Sequence, residues 1–386
     1  MTKKVVVLGS TGSVGTAALE VIEALPEQLS AYGMSAHRRW QQLIEQATAL
    51  HPRWITVTDM ETAQQASSDC DEGDWEFLMG SQGAESMVMD ADTDVVVAAI
   101  VGAAGLKSTW AALKAGKTVA LANKETMVMA GPLIDGIKRE TGAELLPVDS
   151  EHSAVFQALQ AGSAKEVRRV LLTASGGPFL RFSRKHLHAV TPEQALCHPT
   201  WNMGPKISVD SATMMNKALE VIEARWLFNL NPDQIEVVIH PESMVHSMVE
   251  FCDGSVMIQA ALPDMRLPIQ YALTFPERHP GPSPIMDWKQ AQEWHFEPSD
   301  PEQFPSLDLG FEVANRGGTA GAVLNAANEV AVEKFLNNEL AFLDIPRVCR
   351  SVLDQHAWES NPTLDQVVNV DNWAREEVAR WCKVSS

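Results

Sequence analysis

Two acidic residues follow an apolar run in the stretch LPVDSEHSAVFQAL, residues 146–159, where Asp149 and Glu151 stand two positions apart. Acids in this arrangement can be surface charges, a general acid–base pair or ligands of a hard metal ion. Val148 closes the apolar run, and a helical pattern begins at Ser153. The two carboxylates are therefore predicted to lie on a strand-to-helix turn, where side chains can point into a cleft.

A third carboxylate can come from ISVDSATMMNKALEVIEA, residues 207–224. The pattern predicts a helix that begins at Ala212 with Ser211 as its N-cap. One face of this helix is apolar and typical of a core, whereas the other is polar at helical spacing and carries Thr213, Asn216, Lys217 and Glu220. The polar face is either a solvated surface, the commoner case, or it places Glu220 with the two other acids around one divalent cation. Oxygen ligands favour Mg²⁺ or Mn²⁺ over Zn²⁺.

Groups that can bind a phosphate stand next to this third acid. Ser211, Asn216 and Lys217 offer hydroxyl, amide and ammonium donors, which a phosphate requires. The stretch LLTASGGPF, residues 171–179, is predicted to be a strand that ends in Ser175, a further hydroxyl donor. The two glycines after Ser175 allow a ligand to approach closely.

The stretch CHPTWNMGPKISVDS, residues 197–211, is predicted to be a loop, and it contains His198, Trp201 and Met203. A long loop with an exposed tryptophan suggests a lid that closes over a ligand and excludes water. The alternatives are simple packing for Trp201 and a purely structural histidine for His198. The basic segment RFSRKHLH, residues 181–188, is interpreted as a solvated helix start, because its cationic neighbours would repel a metal ion.

The start of the chain predicts elements that position a nucleotide. Residues 5–8 have the pattern of a buried strand, and an apolar-periodic helix follows a glycine turn. Gly9, Gly12 and Gly15 have the spacing G-x-x-G-x-x-G, which lets backbone amides approach a phosphate at a helix N-terminus. A tight turn without a ligand is the alternative, but the strand before it and the helix after it favour nucleotide binding.

The next strand is expected to end near YGMSAHRRW, residues 32–40. A NAD-binding unit would place an acid about 20 residues after the glycines, where it binds the ribose hydroxyls. This chain has His37, Arg38 and Arg39 in that region. An arginine there favours a 2′-phosphate, so NADPH is the predicted cofactor, and a solvated basic turn is the alternative.

Two further strand patterns, at residues 94–105 and 117–125, continue the alternation that is typical of an α/β fold. Open sheets of this class bind ligands at their strand ends. Lys124 stands at such an end, within reach of a cofactor or a substrate. A lone lysine is more often a surface residue, so its role depends on the other motifs.

Composition excludes several classes of function. The 386 residues include 30 basic and 50 acidic side chains, a formal net charge of -20, which argues against nucleic acid and anionic membranes as partners. No apolar run is long enough for a membrane span, and the N-terminal one is too short for a signal peptide. The five scattered cysteines suit a reducing cytosol, so a cytoplasmic location is predicted.

A series of motifs resembles the 1-deoxy-D-xylulose 5-phosphate reductoisomerase family, in its order and roughly its spacing across residues 5–335. The motifs are GSTGSVG, ALANKE, VDSEHSA, ASGGPF, HPTWNMG, VDSATMMNKALEVIEA and LPDMR. The resemblance implies a homodimeric enzyme of the non-mevalonate isoprenoid pathway. Such an enzyme rearranges a keto-sugar phosphate to a branched aldehyde and reduces it with NADPH to 2-C-methyl-D-erythritol 4-phosphate. The implied metal is Mg²⁺ or Mn²⁺, with Co²⁺ as a further option.

The same resemblance implies roles for individual residues. Asp149, Glu151 and Glu220 would ligate the metal and, with Lys124 beside the reacting oxygens, form the catalytic group. Ser150 would bind the substrate backbone. The other residues around the substrate would be Ser175, His198, Trp201, Ser211, Asn216, Lys217 and Ser243. The cofactor would contact Gly9, Ser10, Thr11, Gly12, Ser13, Val14, Arg38, Ala99, Asn123, Glu125, Met203, Gly204 and Met265.

The chain departs from the family pattern at three places. Residues 36–39 read A-H-R-R where the family usually has A-G-K-N or A-G-R-N, which bears on the preference for NADPH over NADH. Glu242 stands where glutamine is common, and residues 261–262 read A-L where G-E is usual. None of these positions is an implied metal ligand.

The predicted fold class is α/β with four segments. These are an N-terminal Rossmann-like NADPH domain (1–149), a central α+β catalytic and dimerisation domain with a lid loop (150–274), a proline-rich linker (275–305) and a C-terminal helical bundle (306–386).

Two other functions are alternatives to that of the reductoisomerase family. A semialdehyde-dehydrogenase-like NADP oxidoreductase would need a cysteine at a helix start. A non-catalytic nucleotide-binding relative would have lost a ligand or phosphate donor, and every one is present.

Overall fold

The computed structural model describes residues 2–70, 73–201 and 203–385. Asn202, in the motif HPTWNMG, therefore lies outside the described residues. The chain divides into two compact units. The first comprises Met1–Thr126, Ile134–Ser153 and Asp264–Pro284, and the second comprises Met127–Leu133, Ala154–Pro263 and Ile285–Ser386.

The first unit is built on a parallel sheet. Its strands are β1 (Lys3–Leu8), β2 (Leu29–Ala36), β3 (Trp54–Val57), β4 (Glu76–Met79), β5 (Val95–Ala98), β6 (Thr118–Leu121) and β7 (Leu145–Pro147). The strand order is β4-β3-β2-β1-β5-β6-β7, so the order reverses between β1 and β5. The valines of β1 and β5 are buried, as expected for strands covered on both faces. Doubly wound sheets bind nucleotides at such a reversal point.

Helices in the first unit connect these strands. They are α1 (Ser13–Ala24), α2 (Trp40–Leu50), α3 (Met60–Gln65), α4 (Ser67–Cys70), α5 (Gly80–Met89), α6 (Leu106–Lys114) and, later in the chain, α13 (Arg266–Thr274). Helices α7 (Lys124–Thr141) and α8 (Ser150–Leu159) contribute residues to both units. Helix α13 returns to this unit, where Arg266 approaches Glu20 of α1 at 3.3 Å.

The second unit contains a mixed sheet. Its strands are β8 (Val167–Ala174), β9 (Ile235–Ile239), β10 (Val245–Phe251), β11 (Val256–Ala260) and β12 (Glu297–Pro298), in the order β11-β10-β8-β9-β12. Strands β8 and β9 are parallel, and the other pairs are antiparallel. All residues of β10 are buried, whereas the edge strand β11 exposes Val256, Met257 and Ile258.

Eight helices of the described chain complete the second unit. They are α9 (Arg184–Leu187), α10 (Pro192–Ala195), α11 (Pro205–Ala212), α12 (Met215–Phe228), α14 (Ser306–Arg316), α15 (Ala320–Leu336), α16 (Asp344–Gln355) and α17 (Leu364–Ser385). The four C-terminal helices form the predicted bundle, and they share one hydrophobic core with β8 and α12, for example through Leu172, Leu219 and Val323. Gly310 lets α14 approach α12, because a Cβ atom there would stand 2.6 Å from the Ala218 backbone.

The fold class and the main elements were predicted correctly, but two local predictions were wrong. Ser211 is not an N-cap: it lies in the last turn of α11, and α12 begins at Met215 after Met214, whose φ is 60°. The predicted loop at 197–211 is helical from Pro205 onward. Pro205 is the first residue of α11, and proline is favoured at the first position of a helix. The loop prediction did not take this preference into account.

The predicted segment boundaries differ from the two compact units. Residues 264–284 belong to the first unit, so it includes the end of the segment predicted as catalytic and part of the predicted linker. The rest of that linker belongs to the second unit, where β12 pairs with β9. Among the described residues, no helix is long and apolar enough to cross a membrane.

Candidate active site

The turn after β1 has the backbone geometry of a phosphate-binding loop. Gly9 has φ 79°, and a Cβ atom there would stand 2.9 Å from the carbonyl oxygen of Ala99. A Cβ atom at Gly15 would stand 2.1 Å from the Gly9 oxygen, so the helix packs directly on the turn. Gly12 is the N-cap of α1, and no side chain of the described residues caps that helix. The first amides of α1, including those of Ser13 and Val14, are therefore open to a phosphate.

Ser10 and Thr11 are buried within this turn. The Ser10 hydroxyl donates to Oε1 of Gln46 at 2.8 Å, and Nε2 of Gln46 donates back to the Ser10 carbonyl at 3.0 Å. The Ser10 backbone N–H donates to the Ser35 carbonyl at 2.8 Å. These bonds fix the turn against α2 and the end of β2.

Arg38 lies two residues beyond the end of β2, where a 2′-phosphate was predicted. Its side chain is 70% exposed, and Nη2 is 3.4 Å from Oδ2 of Asp59. An exposed pair at this distance stabilises the fold little, so the guanidinium can turn towards an anion. His37 is engaged with Thr58 at 3.1 Å, and Nη1 of Arg39 donates to Gln42 at 3.5 Å.

Asn123 joins the loops that follow β5 and β6. It is the N-cap of α7, and its Nδ2 donates to the carbonyls of Ile100 at 2.6 Å and Gly102 at 3.0 Å. The same amide donates to Oε2 of the buried Glu125 at 2.8 Å. These bonds place Ala99, Asn123 and Glu125 at the carboxyl edge of the sheet, on the side expected for a nucleotide.

Lys124 and Asp149 form a half-buried ion pair at the same edge. Nζ of Lys124 is 2.5 Å from Oδ1 of Asp149, and Nδ1 of His152 is 3.3 Å from Oδ2. Burial raises the pKa of the Asp149 carboxyl, but the Lys124 charge and His152 outweigh it and hold that pKa well below its usual range. Asp149 is therefore ionised at any physiological pH.

Asp149 and Glu151 fit a divalent cation with oxygen ligands. One carboxylate oxygen of each residue lies within 4.8 Å of the other. Oδ2 of Asp149 is buried and accepts no well-aligned hydrogen bond from any described residue. The Ser150 hydroxyl donates to Oε2 of Glu151 in the first turn of α8. The nearest donor to this buried oxygen, Nδ1 of His152, is 3.3 Å away and poorly aligned, so a cation such as a hard metal ion would compensate its charge.

Glu220 lies on α12 in the second unit and is fully buried. Nδ2 of Asn216 donates to Oε1 at 2.6 Å, and the buried ammonium of Lys217 donates to Oε2. Three residues of the predicted polar face, Asn216, Lys217 and Glu220, therefore share α12, whereas Thr213 precedes that helix. The burial of Lys217 and Glu220 excludes the solvated-surface alternative.

His198 connects Ser175 to the segment predicted as a lid. Its Nε2 is 2.9 Å from the Ser175 hydroxyl, and its Nδ1 accepts the backbone N–H groups of Trp201 at 3.0 Å and Thr200 at 3.3 Å. Because Nδ1 accepts two N–H groups, it carries no proton, and the neutral ring donates from Nε2 to Ser175. Ser175 follows β8 directly, as predicted.

Ser243 presents its hydroxyl beside the same segment. It has φ 53° in the turn before β10, and its Oγ is 3.3 Å from Oγ1 of Thr200. The Trp201 ring lies 6.1 Å from the His246 ring. The structure thus brings Ser175, His198, Trp201 and Ser243 together within the second unit.

The remaining predicted cofactor residues fall on two helix starts. Gly204 is the N-cap of α11 in the second unit, and Met203 directly precedes it. Met265 is the N-cap of α13 in the first unit.

The buried cluster around Asp210, which anchors α11, was not predicted from the sequence. Oδ2 of Asp210 is 2.8 Å from Nζ of Lys206, and Oδ1 accepts a hydrogen bond from Nδ2 of Asn328 on α15 at 2.8 Å. The i,i+4 spacing of Lys206 and Asp210 would have indicated the ion pair if residues 205–212 had been predicted to be a helix.

Comparisons with known proteins agree with this geometry. A family profile described as 1-deoxy-D-xylulose 5-phosphate reductoisomerase matches residues 5–131. Two profiles for C-terminal domains of the same enzyme match residues 145–228 and 261–377. The chain belongs to the 1-deoxy-D-xylulose 5-phosphate reductoisomerase family. The reductoisomerase of Pelotomaculum thermopropionicum is 50% identical to it, and the match covers 97% of both chains. The reductoisomerase of Rhodopirellula baltica is 48% identical, and the match covers 96% of this chain and 93% of that one.

Solved reductoisomerase structures match over nearly the whole length. The Zymomonas mobilis enzyme in complex with NADPH is 40% identical, with a TM-score of 0.92 and 99% of both chains covered. A reductoisomerase in complex with NADPH, fosmidomycin and magnesium is 37% identical, with a TM-score of 0.93, covering 99% of this chain and 98% of that one. The resemblance seen in the motifs is thereby confirmed.

Proposed function

We propose that the chain uses Asp149, Glu151 and Glu220 to hold one divalent cation and, with it, acts as the reductoisomerase of its family. The reaction is the NADPH- and metal-dependent conversion of 1-deoxy-D-xylulose 5-phosphate to 2-C-methyl-D-erythritol 4-phosphate in isoprenoid synthesis. The observation that carries the assignment is the Lys124–Asp149–Glu151 cluster, with its ionised and incompletely bonded carboxylate.

Bound at these carboxylates, Mg²⁺ or Mn²⁺ would polarise the substrate carbonyl and stabilise the alkoxide that forms as the carbon–carbon bond migrates. The protein's part is to keep the ligands ionised and oriented. Lys124 keeps Asp149 ionised from 2.5 Å, and Asn216 orients Glu220 through a hydrogen bond of 2.6 Å. Lys124 also places an ammonium beside the reacting oxygens.

The substrate phosphate would be held by the hydroxyls of Ser175 and Ser211, the Asn216 amide and the Lys217 ammonium. His198, neutral and donating from Nε2, orients Ser175 for this contact. Ser150 and Ser243 would bind the remaining hydroxyl groups. Binding the phosphate away from the reacting carbons supplies orientation for the rearrangement.

NADPH would lie across the carboxyl edge of the parallel sheet. The amides of Ser13 and Val14 would bind the pyrophosphate, and Arg38 would bind the 2′-phosphate. Ala99, Asn123 and Glu125 would line the nicotinamide side with Met203, Gly204 and Met265. Trp201, tied to His198 through its backbone, would close over the site and exclude water while hydride is transferred.

The cysteines do not support the dehydrogenase alternative. Cys70 ends α4 and Cys349 lies inside α16, where burial raises the pKa of its thiol. Cys382 lies within α17, and Cys197 and Cys252 are outside helices. No described cysteine therefore stands at a helix start, where a reactive thiolate would be stabilised.

We also propose that the enzyme is a cytoplasmic homodimer in which β11 pairs with a second copy. Val256, Met257 and Ile258 are between 39% and 48% exposed on this edge strand. Unpaired, apolar edges invite strand addition, and natural proteins cover or charge them.

Direct measurement of metal binding tests the proposed site. Mn²⁺ is titrated into the metal-free protein and followed by electron paramagnetic resonance, for the wild type and for Glu220→Gln. The wild type should bind one Mn²⁺, and the variant should bind it about tenfold or more weakly, because it lacks a charged ligand. Turnover of Glu220→Gln should fall about a hundredfold or more. NADPH binding, followed by fluorescence, should stay unchanged as a control for folding. Unchanged Mn²⁺ affinity in the variant would remove Glu220 from the site.

A further inference from the structure

A cavity of about 400 Å³ lies inside the second unit, and none of its lining residues was assigned to metal, substrate or cofactor. Side chains of α9, α14 and α16 form its walls together with the end of α11. Its volume lies in the range of small-molecule sites.

The inner part of this cavity is apolar. Its buried lining comprises Leu187, Ala212, Phe304, Leu309, Phe342 and Pro346. Two aromatic rings and several aliphatic groups around one space suit a hydrocarbon body of about eight to ten carbon atoms.

Charged side chains line the same cavity at exposed or half-buried positions. Arg184, Arg347 and Arg350 stand against Glu302 and Asp308, so cations outnumber anions here. The whole chain has the opposite balance, with 30 basic and 50 acidic residues. Arg347 and Arg350 pair with acids outside the lining, Arg350 with two of them, so Arg184 is the cation that favours an anionic ligand here.

The arginines have hydrogen-bonding capacity left for a ligand. Arg184 has no ion-pair partner in the described part of the chain. Arg347 approaches Asp344 at 2.9 Å and Arg350 approaches Glu312 at 2.5 Å, each through Nη1. A guanidinium has five N–H donors, so both retain several.

The cavity also reaches the junction between α11 and α12. Thr213 lines it, and the Thr213 hydroxyl donates to the carbonyls of Val209 at 3.1 Å and Asp210 at 3.2 Å. The same hydroxyl accepts the backbone N–H of Met215 at 3.3 Å. An occupant would therefore touch the segment that follows Ser211 directly.

We propose that this cavity is a second binding site, which takes an amphiphilic organic anion with its hydrocarbon body inside and its phosphate or carboxylate on the arginines. The site is separate from the one proposed for the sugar phosphate. Its test uses neither substrate nor NADPH, so a failure of the proposed function would not affect the outcome.

The test is calorimetric titration of the whole protein with octyl phosphate, octylamine and inorganic phosphate. Octyl phosphate should bind about tenfold or more tightly than either of the others, because only it offers both an apolar body and a negative charge. Tighter binding of octylamine would overturn the proposal by showing that Glu302 and Asp308 determine the chemistry. Displacement of octyl phosphate by inorganic phosphate alone would also overturn it, because it would place the probe in the sugar-phosphate site.

Two variants and one matched control locate the probe. Leu343→Trp fills the cavity from its half-buried wall, and Arg184→Glu reverses a charge without breaking an ion pair. Both should weaken octyl phosphate binding about tenfold. Lys185→Glu changes the net charge equally on the same helix but does not line the cavity, so its affinity should stay within about twofold of wild type. If Leu343→Trp does not fold, Arg184→Glu decides alone, and wild-type affinity in Arg184→Glu would refute the site.

Discussion

Three buried or half-buried carboxylates of this enzyme are each matched by a lysine: Asp149 by Lys124, Asp210 by Lys206 and Glu220 by Lys217. Desolvating an unpaired carboxylate would be very unfavourable, and a paired one is tolerated when further hydrogen bonds complete it. Such pairs position the charges more than they stabilise the fold. Two of the three pairs have i,i+3 or i,i+4 spacing, so sequence alone could indicate them. The pair of Lys124 with Asp149 requires two neighbouring strands and could not be predicted from spacing.

At the same scale, we predict that Arg38 selects NADPH over NADH. Arg38→Ala should raise the KM for NADPH about tenfold and leave the KM for NADH unchanged, because only NADPH offers a 2′-phosphate to the guanidinium. Steady-state kinetics with both cofactors measures this. Arg39→Ala is the matched control and should alter either KM by less than about twofold. Equal effects of Arg38→Ala on the two cofactors would show that the residue does not select the 2′-phosphate.

At the scale of elements, the β1–α1 turn depends on close contact between helix and strand. In Gly15→Ala the new methyl group would meet the Gly9 oxygen at 2.1 Å, whereas in Gly12→Ala it would meet the same oxygen at 3.3 Å. Gly15→Ala should destabilise the protein by about 2 kcal/mol or more and weaken NADPH binding, while Gly12→Ala should cost about 1 kcal/mol or less. Urea unfolding and NADPH fluorescence titrations compare the two. Equal effects in both variants would contradict the packing described.

Helix α11 is held by α15 through Asp210 and Asn328. Asn328→Leu removes the hydrogen bond to a buried carboxylate and should lower the free energy of unfolding by about 1–3 kcal/mol. The control is Asn315→Leu, an exposed position on α14 that should change it by about 0.5 kcal/mol or less. A cost for Asn328→Leu no larger than that of the control would mean that α11 is anchored elsewhere.

Element prediction succeeded where periodicity was strong and failed where local signals competed. The strand at residues 5–8, the glycine turn and the helix after it were predicted closely, since hydrophobic period and turn residues agree there. The start of α12 was predicted at Ala212, before its actual first residue Met215, because Ser211 is a residue type that often caps a helix N-terminus. Met214, between α11 and α12, has a left-handed backbone conformation. A methionine does not indicate that conformation in a sequence, because tertiary packing sets it.

At the scale of the whole molecule, assembly follows from the exposed edge of the second sheet. Ile258→Lys places a charge in the apolar edge of β11 and should shift the proposed dimer towards monomer. Sedimentation velocity at micromolar protein concentration measures the change. Met60→Lys, at a similarly exposed methionine of the first unit, should leave the dimer intact. A monomeric wild type, or an unchanged dimer in Ile258→Lys, would refute the proposed interface.

The motifs that carry the proposed chemistry are local in sequence, whereas the two compact units are not. The acids, the phosphate donors and the glycine turn lie in short motifs, and each motif keeps its residues on one local element. The return of residues 264–284 to the first unit depends on contacts of α13 with distant segments, such as Arg266 with Glu20. Such long-range contacts have no counterpart in a short stretch of sequence.

The most direct test of metal-dependent reductoisomerase activity follows NADPH absorbance while the purified, metal-free protein is mixed with 1-deoxy-D-xylulose 5-phosphate. Added Mg²⁺ or Mn²⁺ should start NADPH oxidation, and a chelator should stop it, because the three carboxylates act through the cation. Oxidation at the same rate in the presence of the chelator would contradict the metal site. An absence of oxidation by well-folded protein with either metal would contradict the reductoisomerase assignment itself.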